Sequence, residues 1–429
     1  MQKISFILCN KVVLFNYFQF DLKIYIKCNI GKKKMKLGKK KYLLTPGPLT
    51  TSLKTKQAML SDVGSWDIDF RNLTKELRFK ILDILSQTCS NLKLFSKENF
   101  AVVPIQGSGT FSVEAMLGSL VPKNGKALVL SNGSYGKRCY EILRYCKRSV
   151  EIIDMGDFLP PDPLLIKKKL NSDLDITNVV LVHCETSSGI LNPIKKISQI
   201  VKSYKKSLLI DSMSAFGAIP IDYAEIEFDA LVSSANKCIE GVPGFGFVLV
   251  KQSVLEKSKY NSHSLSLDLY NQWKYMEETG QWRFTPPTHT ILGFLSALNQ
   301  HKLEGGVLGR LNRYETNKNI LVEGMRDLGF ETLLNDKWIS PIIVSFLYPA
   351  DENFDFEIFY NLMKKQNFII YPGKLTVADT FRIGCIGQIN NNIMKKVLKA
   401  VKVSLSEMKV KSATPKNSII AEKLKLKSF

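Results

Sequence analysis

The chain has 429 residues, 45% of them hydrophobic and 10% aromatic, which excludes a disordered polypeptide and exceeds what one small core requires. Its net charge of +21 is lopsided: residues 1–42 carry eleven Lys and one Asp, residues 407–429 six Lys and two Glu, and +7 is left for everything between. The basicity therefore belongs to tails poor in Arg, and the run Lys32-Lys33-Lys34 reads as solvated chain rather than as a nucleic-acid or membrane contact.

Residues 1–40 form a basic extension. Ile4–Cys9 and Val12–Phe20 are apolar, but Asn10 and Lys11 interrupt them. Neither run reaches the roughly 20 apolar residues of a membrane span, and no small-residue cleavage site follows. An organelle-targeting leader and an upstream read-through before Met35 both stay open; otherwise the expected compartment is the cytoplasm. The eight Cys (9, 28, 89, 139, 146, 184, 238 and 385) show no CxxC pair and no metal-ligand spacing with His. That predicts a reduced intracellular protein without a metal site.

From Tyr42 onward β-rich runs alternate with helical stretches. Phe100–Ile105, Ala127–Ser131, Val150–Asp154, Val179–Cys184, Ser207–Asp211, Ala230–Ser233 and Phe245–Val250 read as strands, nearly continuous in Val, Ile and Leu, as strands covered on both faces are. Ser112–Leu120, Lys137–Cys146 and Ile194–Ser203 read as helices between them. Alternation of this kind predicts an α/β fold: a mostly parallel, doubly wound seven-stranded sheet whose ligands sit at the strands' carboxyl ends. After about Thr290 the helical stretches Ile291–His301 and Leu308–Leu328 lead to Ile342–Leu347, a helix near Phe356–Gln366, and strands Phe368–Tyr371 and Phe381–Ile386. The expected organisation is a large domain with an N-terminal arm over 41–290, a smaller α/β domain over 291–406, and a basic tail over 407–429.

Three features fall just after strands. Gln106-Gly107-Ser108-Gly109-Thr110 opens a helix, where backbone N–H groups and two hydroxyls suit a phosphate, although such a turn also occurs without a ligand. Asp211 closes an apolar strand, either as the cap of a following helix or as partner to a protonated ring nitrogen. Lys237, 26 residues later, sits in Ser233-Ser234-Ala235-Asn236-Lys237-Cys238 before the glycines 241, 244 and 246. It is either a surface lysine or a desolvated, nucleophilic amine. The combination favours the second reading.

In order and spacing these features resemble the class V aminotransferases of the type I pyridoxal-phosphate fold. Leu43-Leu44-Thr45-Pro46-Gly47-Pro48, Gly64-Ser65-Trp66-Asp67, His183-Cys184-Glu185-Thr186, Gly189-Ile190-Leu191-Asn192-Pro193 and Ser233–Phe247 are most similar to the branch acting on 2-aminoethylphosphonate and pyruvate. The likeness runs from about Tyr42 to Val401. Glu240 stands where Gln is expected, and Ser187-Ser188 where Thr is commoner.

The resemblance implies that Lys237 carries pyridoxal phosphate as a Schiff base and moves the proton, and that Asp211 faces the ring nitrogen. It also implies that Ser108, Gly109 and Thr110 hold the phosphate, that Thr186 meets the phenolic oxygen and that Tyr135 covers the ring. Arg382 and Gly47 would contact the substrate. Thr285, or its competitor Thr288, would reach the phosphate from the neighbouring subunit of a homodimer. His183 is expected to pack beneath the site. A serine– or alanine–glyoxylate aminotransferase is the competing activity, and a non-enzymatic basic binding protein finds no support in the core.

Overall fold

The computed structural model describes residues 41–93, 95–373 and 378–417. The extension 1–40 and the tail from residue 418 lie outside them, and so do the leader and read-through readings. Seven strands form the central sheet: β1 (Phe100–Gly107), β2 (Lys126–Ser131), β3 (Ser149–Asp154), β4 (Ile176–Val182), β5 (Ser207–Asp211), β6 (Ala230–Ser234) and β7 (Gly244–Lys251). Their order is β1-β7-β6-β5-β4-β2-β3, and β7 alone runs antiparallel to its neighbours. The expected α/β fold with a mostly parallel seven-stranded sheet is therefore what the chain forms.

Residue alternation explains the two covering layers. Along β4, Val179 and Leu181 pack into one buried cluster while Val180 and Val182 pack into another on the opposite face. Helix α1 (Gly109–Leu120) follows β1, and α2 (Ser134–Tyr145) follows β2. After β3 at the sheet edge the chain returns to place β4 beside β2. That reversal makes the carboxyl ends of β2 and β4 a switch point, where a doubly wound sheet leaves a crevice.

Beyond the helix Thr288–Leu303, α3 (Gly306–Asp327) leads to a three-stranded antiparallel sheet. It comprises β8 (Ile343–Leu347), β9 (Tyr371–Pro372) and β10 (Thr380–Gly384), in the order β8-β10-β9. Phe346, Phe359, Phe381, Met394 and Val397 form its own buried cluster. The arm Tyr42–Leu43 pairs in parallel with Phe368–Ile369.

Two expected strands are corrected. The run Val179–Cys184 ends at Val182: His183 N makes the last bond to β5, at Asp211 O (2.8 Å), while His183 O is taken by Asn192 N (2.9 Å) and Cys184–Glu185 pairs with Ile190–Leu191. The run Phe368–Tyr371 divides between two sheets, Phe368–Ile369 joining the arm and Tyr371–Pro372 joining β10.

Candidate active site

The carboxyl ends of β1, β2, β4, β5 and β6 and the start of β7 meet at one cavity. Its lining includes Ser108, Gly109 and Thr110 after β1, Tyr135 after β2, Asp211 at the end of β5 and Lys237 after β6. Motifs up to 129 positions apart are thus neighbours because each sits at the same edge of one sheet.

Ser108 occupies the N-cap position of α1 but makes no side-chain capping bond. Its hydroxyl and the first amides of α1 remain directed at a cavity that suits an anion. Asp211 is buried, and its Oδ1 accepts from Met213 N at 2.9 Å. No helix follows it; residues 213–217 are turn, so the cap reading is corrected to a local turn contact. Burial lifts the Asp211 carboxyl to about 6, eased by the Met213 amide and reinforced by Glu185. Lys237 Nζ donates to Pro46 O at 2.8 Å, and desolvation lowers its pKa to about 8 even though Asp211 lies near enough to oppose the shift. An amine so placed is partly neutral near physiological pH, which is the form that attacks a carbonyl.

Gly47 is held at φ +125°, and a Cβ there would fall 2.7 Å from Lys237 Nζ. The arm can pass over the lysine only as glycine. Thr186 Oγ1 is buried, and among the described residues the one side chain in reach of it is the Tyr135 hydroxyl. A hydroxyl pair of this kind retains acceptor capacity for a further polar group.

His183 lies beneath the cavity as expected. Its Nδ1 meets Ser212 Oγ at 3.0 Å, and burial holds the imidazole neutral, with a pKa near 3. Arg382 is wholly buried in β10 and is not part of the cavity lining. Its guanidinium donates to Thr186 O (2.6 Å) and to Pro372 O (3.0 and 2.8 Å) and stacks over Tyr371. Its hydrogen bonds go to neutral carbonyls alone, and burial lowers its pKa although Tyr135, Tyr371 and Glu185 lie near enough to oppose the shift. Thr285 and Thr288 do not line this cavity: Thr285 is exposed, with its carbonyl taken by Gln106, and Thr288 Oγ1 faces His289 at 3.5 Å.

Two residues were missed by the sequence reading. Glu185 is fully buried and accepts from the amides of Tyr135 (2.9 Å), Gly136 (3.1 Å) and Ser187 (3.1 Å). It caps α2 from a distance, because the N-cap residue is Gly133 and has no side chain to do so. Arg138 lines the cavity, bonds Thr110 Oγ1 at 3.3 Å and stacks over Tyr135 at 4.9 Å. Its position three residues after Tyr135, on one helix face, was the available signal. Away from the cavity, ligand atoms of Glu114, Cys146 and His263 lie within 4.8 Å of one another, a grouping invisible in the linear spacing. The adjacent Arg148 guanidinium, bonded to Gly118 O and Cys146 O, opposes a cation there.

Comparison with known proteins settles the family. The class-V aminotransferase pattern matches residues 68–367. The chain belongs to the class-V aminotransferases. A 2-aminoethylphosphonate–pyruvate transaminase of Rhizobium meliloti (strain 1021) is 57% identical over 385 residues, covering 90% of this chain and 98% of that protein. A transaminase of the same name from Bacillus cereus (strain ATCC 10987 / NRS 248) is 46% identical, covering 84% and 97%. Among solved structures, pyridoxamine-pyruvate aminotransferase from Mesorhizobium loti superposes with a TM-score of 0.77 at 22% identity, covering 87% of this chain and 93% of that one. That likeness carries the type I fold. Class-V membership makes the chain an enzyme, an aminotransferase. Among the described residues no helix is long and apolar enough to cross a membrane.

Proposed function

We propose that the chain moves the amine of 2-aminoethylphosphonate to pyruvate, giving phosphonoacetaldehyde and L-alanine, as a step in phosphonate degradation with pyridoxal 5'-phosphate as cofactor. The observation that carries this reading is a cavity joining Lys237, Asp211 and the α1 amides in a chain 57% identical to a transaminase of that name. The residues present fit the cofactor: an unspent helix N-terminus and a lysine kept partly neutral.

When bound, the cofactor supplies an electron sink for the carbon that gives up its proton. Lys237 would hold the cofactor and shuttle that proton. Asp211, whose carboxylate is disfavoured by burial and by the nearby Glu185, would regain its charge opposite a cationic ring nitrogen. Ser108, Gly109 and Thr110 would grip the phosphate, Thr186 would bond the ring oxygen and Tyr135 would cover the ring face. Gly47 would leave space for substrate, and Arg382 would receive its anionic end through a planar fork.

The exposed Thr285 and the neighbouring Thr288 support a homodimer in which one of them completes the partner's phosphate site. The aromatic cluster around Phe381 supports a division at about residue 290, across which Arg382 already reaches Thr186 O. Side-by-side turnover of 2-aminoethylphosphonate and serine, each with pyruvate and with glyoxylate, tests the substrate. The phosphonate should be preferred, and equal or faster turnover of serine would make the competing activity the correct one.

A further inference from the structure

Lys237 is the first residue of a turn that is gripped from outside the cavity. Glu240 N closes the turn on Lys237 O at 2.7 Å, which places Glu240 in the left-handed region at φ +63°. A residue with a Cβ stays there only when its surroundings hold it. Those surroundings are charged. The buried Glu240 carboxylate accepts from Arg313 Nη2 and Tyr314 Oη, both at 2.7 Å, and from Gln388 Nε2 at 2.6 Å, with Arg310 Nη1 at 3.5 Å. Arg310 also donates to Cys238 O, the carbonyl next to Lys237. Glu304 completes the set by pairing with Arg310 (2.7 Å) and Arg313 (2.6 Å), giving two carboxylates and two guanidinium groups.

Arg310, Arg313 and Tyr314 belong to α3, whereas Gln388 lies four residues beyond the strand β10 that bears Arg382. Arg313 also donates to Gly387 O and Ile389 O in that segment. The cluster thus ties two points of the Lys237 turn, Cys238 O and the Glu240 carboxylate, to α3 and to the segment that follows Arg382. A surface ion pair would contribute little, but here Glu240 and Arg310 are buried, Arg313 and Glu304 partly so, and each charge is held by several bonds, so the geometry is stiff.

We infer that Glu240 is a positioning residue that fixes the Lys237 amine in the cavity, acting through the Arg310–Arg313–Glu304 cluster. The inference rests on Lys237 being the cofactor's attachment point. It assigns the requirement to a carboxylate at the Glu240–Gln388 contact, against the Lys237 turn, rather than to the net charge of the cluster.

Four variants of the full chain, loaded with pyridoxal phosphate, test it. Glu240→Gln and Glu304→Gln remove the same charge from the same cluster, but only the first touches the Lys237 turn. Glu240→Gln is expected to shift the pH midpoint of the bound chromophore and to lower kcat about tenfold with less change in KM, since small misplacements of a reacting group cost that much or more. Glu304→Gln should lower Tm and leave the chromophore midpoint alone. The swap Glu240→Gln/Gln388→Glu returns a carboxylate to the cluster and should restore midpoint and kcat. Tyr314→Phe, which keeps the charge balance, should give a smaller midpoint shift and serves where Glu240→Gln does not fold. A normal midpoint and kcat in Glu240→Gln, or in Tyr314→Phe where that variant stands in, overturns the inference, as does an equal shift in Glu304→Gln. If the wild-type chain forms no chromophore, the cofactor reading fails instead.

Discussion

Two groups of buried charges sit three residues apart along the chain and are built in opposite ways. Around Glu240 each charge meets an opposite one: burial works against Arg313 and Glu304, yet their partners outweigh it and both charged forms are stabilised. Around Lys237 burial prevails. The amine is pulled down to about 8, the Asp211 carboxyl is pushed up to about 6, Glu185 is raised and Arg382 lowered. The first arrangement holds a shape; the second stores unmet electrostatic demand that a charged ligand can relieve. Perturbed groups gathered at a sheet's switch point mark where chemistry happens, and satisfied groups beside them mark what keeps it in place.

The largest test of this contrast is Lys237→Ala. Transamination should fall by at least about 10²–10⁴-fold, the range for a positioned acid–base group, and the protein should be colourless. Activity close to wild type would remove the distinction between the two groups. Next comes Asp211→Asn, with two opposed expectations. Catalysis should drop about 100-fold, as when a preorganised charge is lost. Stability of the cofactor-free chain should rise. The folded pKa of about 6 lies above the ordinary 3.8, so the carboxylate's penalty is present above pH 6 and absent below about 4. The variant should therefore melt higher than wild type at pH 7, by up to about 3 kcal/mol, and the gain should vanish below about pH 4. Calorimetry without cofactor at both pH values decides this, and a destabilised variant at pH 7 contradicts the account of Asp211.

Arg382→Lys is the intermediate case. Losing the planar fork should raise KM for both anionic substrates by about 10–100-fold, equivalent to one hydrogen bond to a charged group, with kcat less affected. Steady-state kinetics with each substrate in turn measures it. The smallest effect belongs to the tails. Removing residues 1–34 should leave kcat and KM unchanged, because the charge they carry is unrelated to either buried group. A loss of folding would place the extension in the structure after all.

Most of the framework was legible in the linear sequence because it depends on local chemistry. Seven apolar β-rich runs had nowhere to go but a sheet covered on both faces, and Ser108–Thr110, Asp211 and Lys237 had to follow strands to be useful. What escaped depended on distant partners. Glu185 caps α2 from 50 residues away, and nothing near Gly133 says that a carboxylate will arrive. The break at His183 is set by Asn192 N, which takes His183 O, and by the pairing with Ile190–Leu191, so an unbroken run such as Val179–Cys184 could not disclose it. Glu240 stood out in the linear sequence where Gln was expected, but its Arg partners lie some 70 residues downstream. Arg138 alone was within reach, one helical turn from Tyr135.

The central claim is that Lys237 holds the cofactor in the cavity at the sheet's carboxyl edge. Borohydride reduction of the yellow, loaded protein, followed by digestion and mass mapping, tests it most directly. The account predicts one reduced pyridoxyl adduct, on the peptide containing Lys237, and none in Lys237→Ala. An adduct on any other of the chain's lysines, with Lys237 unmodified, would contradict it.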